Sequence, residues 1–306
     1  MVLKLDYPVR ELDGSLLYPA GTLLAVGDLR GRVASGRGES RRIPILQFGT
    51  VREDILRFMD ESPGNTVFSN PGDVAEILEL MAQVQFAEPI LESVRYFQQN
   101  DPYTYRHILM VFAFSTLLSR DLVPDYRSRI REASTGPLHD FGKICVPLEI
   151  LRKNTPLTRE ERRNLEHHTL AGYILLSHYS RDVESLAARV AWSHHEKRNG
   201  TGYPRGVHLN DRMVEIVAVC DIYDALTSRR PYRPVSFDNR SALEEITKMA
   251  ERDEVSWEVV QALVGHNRKG KPHFSQCVVS LDRRGVVPPD NLYGVFAGES
   301  APESAP

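Results

Sequence analysis

The chain has 306 residues, 42% of them hydrophobic and 26% charged, with a formal net charge of −3 at pH 7. That length allows one large domain or two ordinary ones, and that balance describes a globular protein rather than a disordered one. It contains no apolar run of the roughly 18 residues that a membrane span needs, and a slightly acidic chain is not a polyanion binder over its whole surface, so DNA is not an expected partner.

The first stretch, MVLKLDYPVRELDG, places acidic residues where a secretory signal would need an apolar core. Residues 1–50 read as β structure. DGSLLYPAGTLL (13–24) sets apolar runs between Asp-Gly, Pro and Gly, as in a hairpin or small meander, and RIPILQFG (42–49) predicts a further strand. GRVASGRGESRR (31–42) reads as a solvated, glycine-rich basic loop. From Thr50 the period turns helical. VREDILRFMDE (51–61) places Val51, Ile55, Phe58 and Met59 on one side, and NPGDVAEILELMAQVQF (70–86) opens on an Asp cap signal and repeats Val74, Ile77, Leu78 and Met81. EPILESVRYFQQND (88–101) ends in a polar break that predicts a domain boundary.

Residues 102–265 alternate helical segments with short loops: 107–122, 157–179, 183–196, 211–230, and 242–266 as two short helices. CVVSLD (277–282) is expected to add a strand pair, and GESAPESAP (298–306) has no means of burying itself. The expected fold is therefore mainly α, with a small N-terminal region containing β-strands. Residues 1–100 are expected to be a regulatory or dimerisation region, 101–297 the domain with the chemistry, and 298–306 a disordered tail. Cys145, Cys220 and Cys277 form no CxxC and no paired framework, which fits a reducing cytoplasm.

The histidines locate the chemistry. Residues 1–100 contain none, whereas His107, His139, His167, His168, His178, His194 and His195 fall in the next hundred. Adjacent His139 and Asp140 in LHDFGK offer a neutral nitrogen donor beside an anionic oxygen donor, a set that suits Mn, Fe or Zn. Asp221 sits in VAVCDIYDAL, an otherwise apolar helix where an unpaired carboxylate would be costly, so it calls for a cation or strong donors. Asp224, three residues on, reads as its structural neighbour. Several helices would each bring an imidazole or carboxylate to an apolar face, which is how helical bundles build dinuclear metal sites.

Five ordered motifs resemble those of the HD-GYP family, a branch of the HD phosphohydrolase superfamily. They are YTYRH (103–107), LHDFGKICVPLEILRKNTPLT (138–158), HHTLAGYILL (167–176), HHEKRNGTGYPRG (194–206) and VAVCDIYDALTSRRPYR (217–233). The resemblance implies an HD-type helical bundle and a metal-dependent phosphodiesterase. By position it implies that His107, His139, Asp140 and Asp221 hold one divalent metal, and that Asp140 bridges to a second held by His168, His194 and His195. It also implies Fe or Mn, with Zn possible. Of the pair His167–His168, the family's ligand stands four residues before Gly172, which selects His168.

The implied reaction is hydrolysis of cyclic di-GMP to pGpG, and further to GMP if the site permits a second cut, by metal-activated hydroxide attack on phosphorus. Asp140 and Lys143 are the expected catalytic residues, with Lys143 touching a phosphate oxygen. Arg198, Tyr203, Arg205 and Arg233 are further candidates for substrate contact; Tyr203 could instead pack on its own turn or meet a partner. Alternatives are another cyclic dinucleotide such as cyclic GMP-AMP, or a weakly active sensor that docks a diguanylate cyclase through the GYP loop; homodimerisation is a further expectation. The chain departs from the family pattern at Asn199, where aspartate is common, and at Tyr103, where some members carry a glutamate linked to a third metal. Two metals are therefore expected, not three.

Overall fold

The computed structural model describes residues 1–35, 41–229 and 235–288. Arg233, residues 36–40 of the glycine-rich loop and the tail 298–306 lie outside these; residues 31–35, expected as loop, instead end the helix Val26–Ser35. The β structure of the N-terminal region consists of short antiparallel pairs: Val2–Lys4 with Leu23–Ala25, Val9–Arg10 with Leu16–Tyr18, and Arg42–Pro44 with Gln85–Ala87. The last pair corrects two expectations. The strand at 42–49 stops at Pro44 and passes into a 3₁₀ turn, and the helix expected over 70–86 ends at Ala82, so that Gln85–Ala87 are released to pair. The helix Pro71–Ala82 is capped by Asn70, whose side chain accepts from the Gly72 amide, while Asp73 sits in the first turn.

The helix Pro102–Leu122 is the axis of the fold. Asp101 caps it through Thr104, Pro102 occupies its first turn, and residues from His107 to Ser119 are buried all round. The helices Val51–Asp60, Pro71–Ala82 and Glu88–Asn100 pack on it from the N-terminal side, and Arg212–Thr227 and Trp257–Asn267 from the C-terminal side. One apolar cluster runs without a break from Leu3 to Cys277, across the polar break at 100–101.

Two further differences from the sequence pattern bear on the site. The segment 157–179 is two helices, Arg159–Glu166 and His168–Ser180, parted at His167; the first opens on a capping box between Thr158 and Glu161. Residues 277–282 form no strand. Cys277 is buried there, but Val278 and Leu281 face solvent with no partner strand. No described helix is long and apolar enough to cross a membrane.

Candidate metal centre

Each cluster residue is delivered by an element whose packing follows from the local sequence. His107 lies one turn into the axial helix, and Asp221 on Arg212–Thr227, which packs against it. His139 and Asp140 sit between two 3₁₀ turns, Gly136–Leu138 and Phe141–Cys145. His168 opens the helix His168–Ser180, and His194 ends the helix Leu186–Ser193. Gly142 brings two of these pieces together. A Cβ there would stand 1.9 Å from the His168 carbonyl oxygen and 2.4 Å from the Gly172 nitrogen, so the His139–Asp140 turn meets the His168 helix backbone to backbone.

The imidazoles are oriented from outside. His107 Nδ1 is 2.7 Å from Asp224 Oδ2, His139 Nδ1 is 2.7 Å from the Gly136 carbonyl and His168 Nδ1 is 2.5 Å from the Leu165 carbonyl. His194 Nδ1 faces the carbonyls of Val190 and Ala191 at 3.1 and 3.0 Å. Each of these acceptors places the ring proton on Nδ1 and leaves Nε2 as an inward lone pair. Yet His107 Nε2 and His139 Nε2 are 3.3 Å apart, and so are His168 Nε2 and His194 Nε2. Two facing lone pairs repel; a cation between them turns that repulsion into coordination. The donor set therefore fits divalent metal.

The carboxylates divide between the two imidazole pairs. Asp140 Oδ2 lies 3.5 Å from His107 Nε2 and 3.4 Å from His139 Nε2, while Oδ1 of the same residue lies 3.4 Å from His168 Nε2 and 3.9 Å from His194 Nε2. Asp221 Oδ1 is 3.0 Å from His107 Nε2, and its Oδ2 is 3.9 Å from His195 Nδ1. Potential ligand atoms gather within 4.8 Å of one another in three sets: His107–His139–Asp221, His168–His194–His195, and His139–Asp140–His194 between them.

The electrostatics of three imidazoles agree with ligation, whereas at His139 burial is outweighed by the neighbouring Asp140 and Asp221 carboxylates, which raise its pKa. Burial pushes the His168 pKa down to about 3 and that of His195 to about 4, and it holds His194 well below its usual value, with neighbouring imidazoles adding to the effect. All three are neutral donors at pH 7. Burial alone would raise the Asp140 pKa. The Lys143 ammonium, 2.5 Å from Oδ2, and His139 outweigh it and keep this carboxyl ionised. Asp221 is lowered likewise: burial is opposed by its contact with His107 and by the charges of His107 and His139.

The segment 194–206 folds back on the cluster. Gly200 and Gly206 have positive φ, at +76° and +64°, and Gly202 does not. Gly202 is needed for close approach, because a Cβ there would be 2.3 Å from the His195 carbonyl. The Tyr203 amide donates to that same carbonyl at 3.1 Å, and the Tyr203 ring stacks on the His195 imidazole with centroids 4.5 Å apart. Glu196, buried, accepts the Arg205 amide at 2.8 Å and the Val207 amide at 3.0 Å, so it pins the turn. Asn199 donates to the Arg252 carbonyl at 2.9 Å, a bond that an aspartate could not make.

His107, His139, Asp140, His168, His194, His195 and Asp221 are thus brought together, with Lys143 against Asp140. The arginines are placed differently. Arg198 pairs with Asp253 at 3.2 Å, and Arg205 donates to Ser193 Oγ at 2.8 Å while lying over the Trp192 ring. His167 turns away from the cluster, edge-on to Tyr7 of the N-terminal region. Tyr103 is largely exposed. Asp224 and Arg106 were not singled out as site residues from the sequence. Asp224 holds His107 and in turn accepts from Arg106 and Ser228. The available signal was a second aspartate one helical turn after Asp221 in an apolar helix.

The HD domain family model matches residues 88–255. A cyclic di-GMP phosphodiesterase of Pseudomonas aeruginosa is 38% identical over 177 residues, covering 56% of this chain and 41% of that protein. One from Thermotoga maritima is 36% identical over 138 residues, 44% of this chain and 38% of that protein. A 3′3′-cGAMP-specific phosphodiesterase of Vibrio cholerae is 39% identical over 136 residues, 44% of this chain and 29% of that protein. The matches therefore span less than half the length of these relatives. The family model covers more than half of the 306 residues, including all of the clustered imidazoles and carboxylates: the chain belongs to the HD domain family.

Proposed function

We propose that this chain is a two-metal phosphodiesterase that hydrolyses cyclic di-GMP to pGpG, with GMP as the product of a second cut. The observation that carries the reading is Asp140, whose two oxygens face different imidazole pairs, Oδ2 towards His107 and His139 and Oδ1 towards His168 and His194. A carboxylate so placed would serve two cations at once. His107, His139, Asp140 and Asp221 would hold one, and Asp140, His168, His194 and His195 the other. The mixed nitrogen and oxygen donors suit Fe or Mn, with Zn possible. When bound, such a pair acidifies a water and stabilises charge on phosphoryl oxygens.

The chain's own residues do the rest. The outward Nδ1 contacts keep the imidazoles of His107, His139, His168 and His194 aimed before any ligand arrives, so little reorganisation is needed during reaction. Lys143 places a compact positive charge at the edge of the cluster, where a non-bridging phosphate oxygen would meet it. Tyr203 supports the His195 ring, and Arg198 and Arg205 hold the turn that carries it; we assign these three to positioning. The relatives named for cyclic di-GMP and for cyclic GMP-AMP leave these two substrates as the pair to compare.

The test is turnover. The protein is purified without oxygen and loaded with Fe(II) or Mn(II), and bound metal is counted. Cyclic di-GMP and 3′3′-cyclic GMP-AMP are then supplied in parallel and the products separated over time. The expected result is pGpG, then GMP, from cyclic di-GMP, with about two metals per chain as a two-metal site requires. Faster hydrolysis of cyclic GMP-AMP would reassign the substrate. Intact substrates at full loading would leave a sensor or docking module in place of the enzyme.

A further inference from the structure

Outside the metal centre, the described residues line a half-open cavity of about 640 Å³ where the N-terminal region meets the helical bundle. The strand pair Arg42–Pro44 and Gln85–Ala87 contributes one wall. The helix Tyr126–Ala133, the end of His168–Ser180 and the start of Leu186–Ser193 contribute the others. Its volume falls within the range of small-molecule sites, about 300–1,000 Å³.

The lining has two kinds of surface. Phe86, Ile90, Leu138, Leu176, Tyr179 and Leu186 provide an apolar and aromatic part. Arg42, Arg127 and Arg131 form no ion pair among the described residues, although each lines the cavity. The carboxylates there are engaged: Glu184 pairs with Arg30 at 2.6 Å, and Asp182 accepts the Glu184 amide at 2.8 Å. Arg189, the remaining arginine, pairs with Asp211 at 3.2 Å. Three uncommitted guanidinium groups from two sides of one partly apolar cavity make a receptor for an anion that also carries a flat hydrophobic part. Guanidinium groups bind phosphate oxygens in pairs and stack on planar rings.

We propose that this cavity binds a nucleotide-sized phosphorylated molecule with a planar ring, at a site separate from the metal centre. Leu138 in its wall immediately precedes His139, and the helix that starts at Leu186 in its wall runs directly into His194. An occupant therefore rests on two of the pieces that carry ligating side chains, and links the N-terminal region to the centre. The proposal does not depend on which substrate the centre hydrolyses.

The experiment uses the whole 306-residue chain, metal-loaded, and ADP carrying an N-methylanthraniloyl fluorophore, followed by anisotropy. Three proteins are compared: the unaltered chain, the double variant Arg127→Glu/Arg131→Glu, and Asp140→Asn. Both arginines are exposed, so the double variant is expected to fold, and circular dichroism checks it. The expected result is saturable binding that weakens at least tenfold in the double variant and persists in Asp140→Asn. Unchanged affinity in the double variant, loss of binding in Asp140→Asn, or no saturable binding to the unaltered chain would each overturn the site. Inorganic pyrophosphate competing as well as ADP would overturn recognition of the ring.

Discussion

Asp224 Oδ2 stands 2.7 Å from His107 Nδ1, on the far side of the imidazole from the cluster. The other oxygen of Asp224 accepts from Arg106 at 3.3 Å and from Ser228 at 2.8 Å. The aspartate is thus held before it holds the histidine. It fixes the ring proton on Nδ1 and makes Nε2 a stronger donor. Asp224→Asn keeps the shape but loses the charge, and should weaken Mn(II) binding by roughly 10–100-fold, the usual cost of losing such an orienting carboxylate. Titration followed by electron paramagnetic resonance reads this directly. Unchanged affinity would reduce Asp224 to a packing residue.

Asp140→Asn should lose metal and activity together, because the shared carboxylate becomes neutral. Metal content by mass spectrometry should fall from about two per chain, the number expected of a bridged site, to one or none. Two retained metals with full turnover would mean that the cluster is misassigned.

The adjacent histidines make a sharper comparison. His168 faces Asp140 and His194, whereas His167 lies edge-on to Tyr7. His168→Ala should abolish turnover, and His167→Ala should cost mainly stability. The opposite ranking would overturn the register.

Gly142→Ala should damage both stability and the centre. Its Cβ would stand 1.9 Å from the His168 carbonyl, a backbone atom that cannot rotate away. Overpacking of this kind costs about 1–3 kcal/mol, and here it would also part Asp140 from His168. Gly27→Ala is the control: nothing lies within 4 Å of its Cβ, and it sits in the helix Val26–Ser35. It should be neutral or stabilise by up to about 1 kcal/mol. Thermal melts with a metal count decide; equal behaviour of the two variants would refute the contact.

Glu132 is a buried carboxyl with neither oxygen hydrogen-bonded among the described residues. Burial, and then the charge of Asp211, raise its pKa well above 4.5. The folded chain keeps this proton after the unfolded chain has released it. Stability is therefore lost as pH rises above the unfolded pKa towards the raised folded value. Glu132→Met removes that loss. Its gain in Tm over the parent should be larger at pH 8 than at pH 5, and an equal shift at both would contradict a buried neutral carboxyl.

The sequence by itself determined what was local. Helical periods located the axial helix and Arg212–Thr227, and the ordered motifs named the imidazoles and carboxylates that the fold gathers. His168 rather than His167 followed from the family resemblance, in which the ligand stands four residues before the glycine that matches Gly172. Element ends were less legible. Gln85–Ala87 continue the helical pattern, yet they form a strand because Arg42–Pro44 pairs with them from a distance.

What only the tertiary structure decided was orientation and cross-chain approach. Gly202 lies in a segment rich in turn residues, but what requires a glycine there is the passage of the chain against His195. Arg198 and Arg205 carry charges suited to a phosphate, yet their partners, Asp253 and Ser193, come from other parts of the chain. Asp140 showed its two faces only once four separate elements had met around it. A motif gives a side chain's chemistry, but the direction in which its lone pairs point depends on packing between segments far apart in sequence.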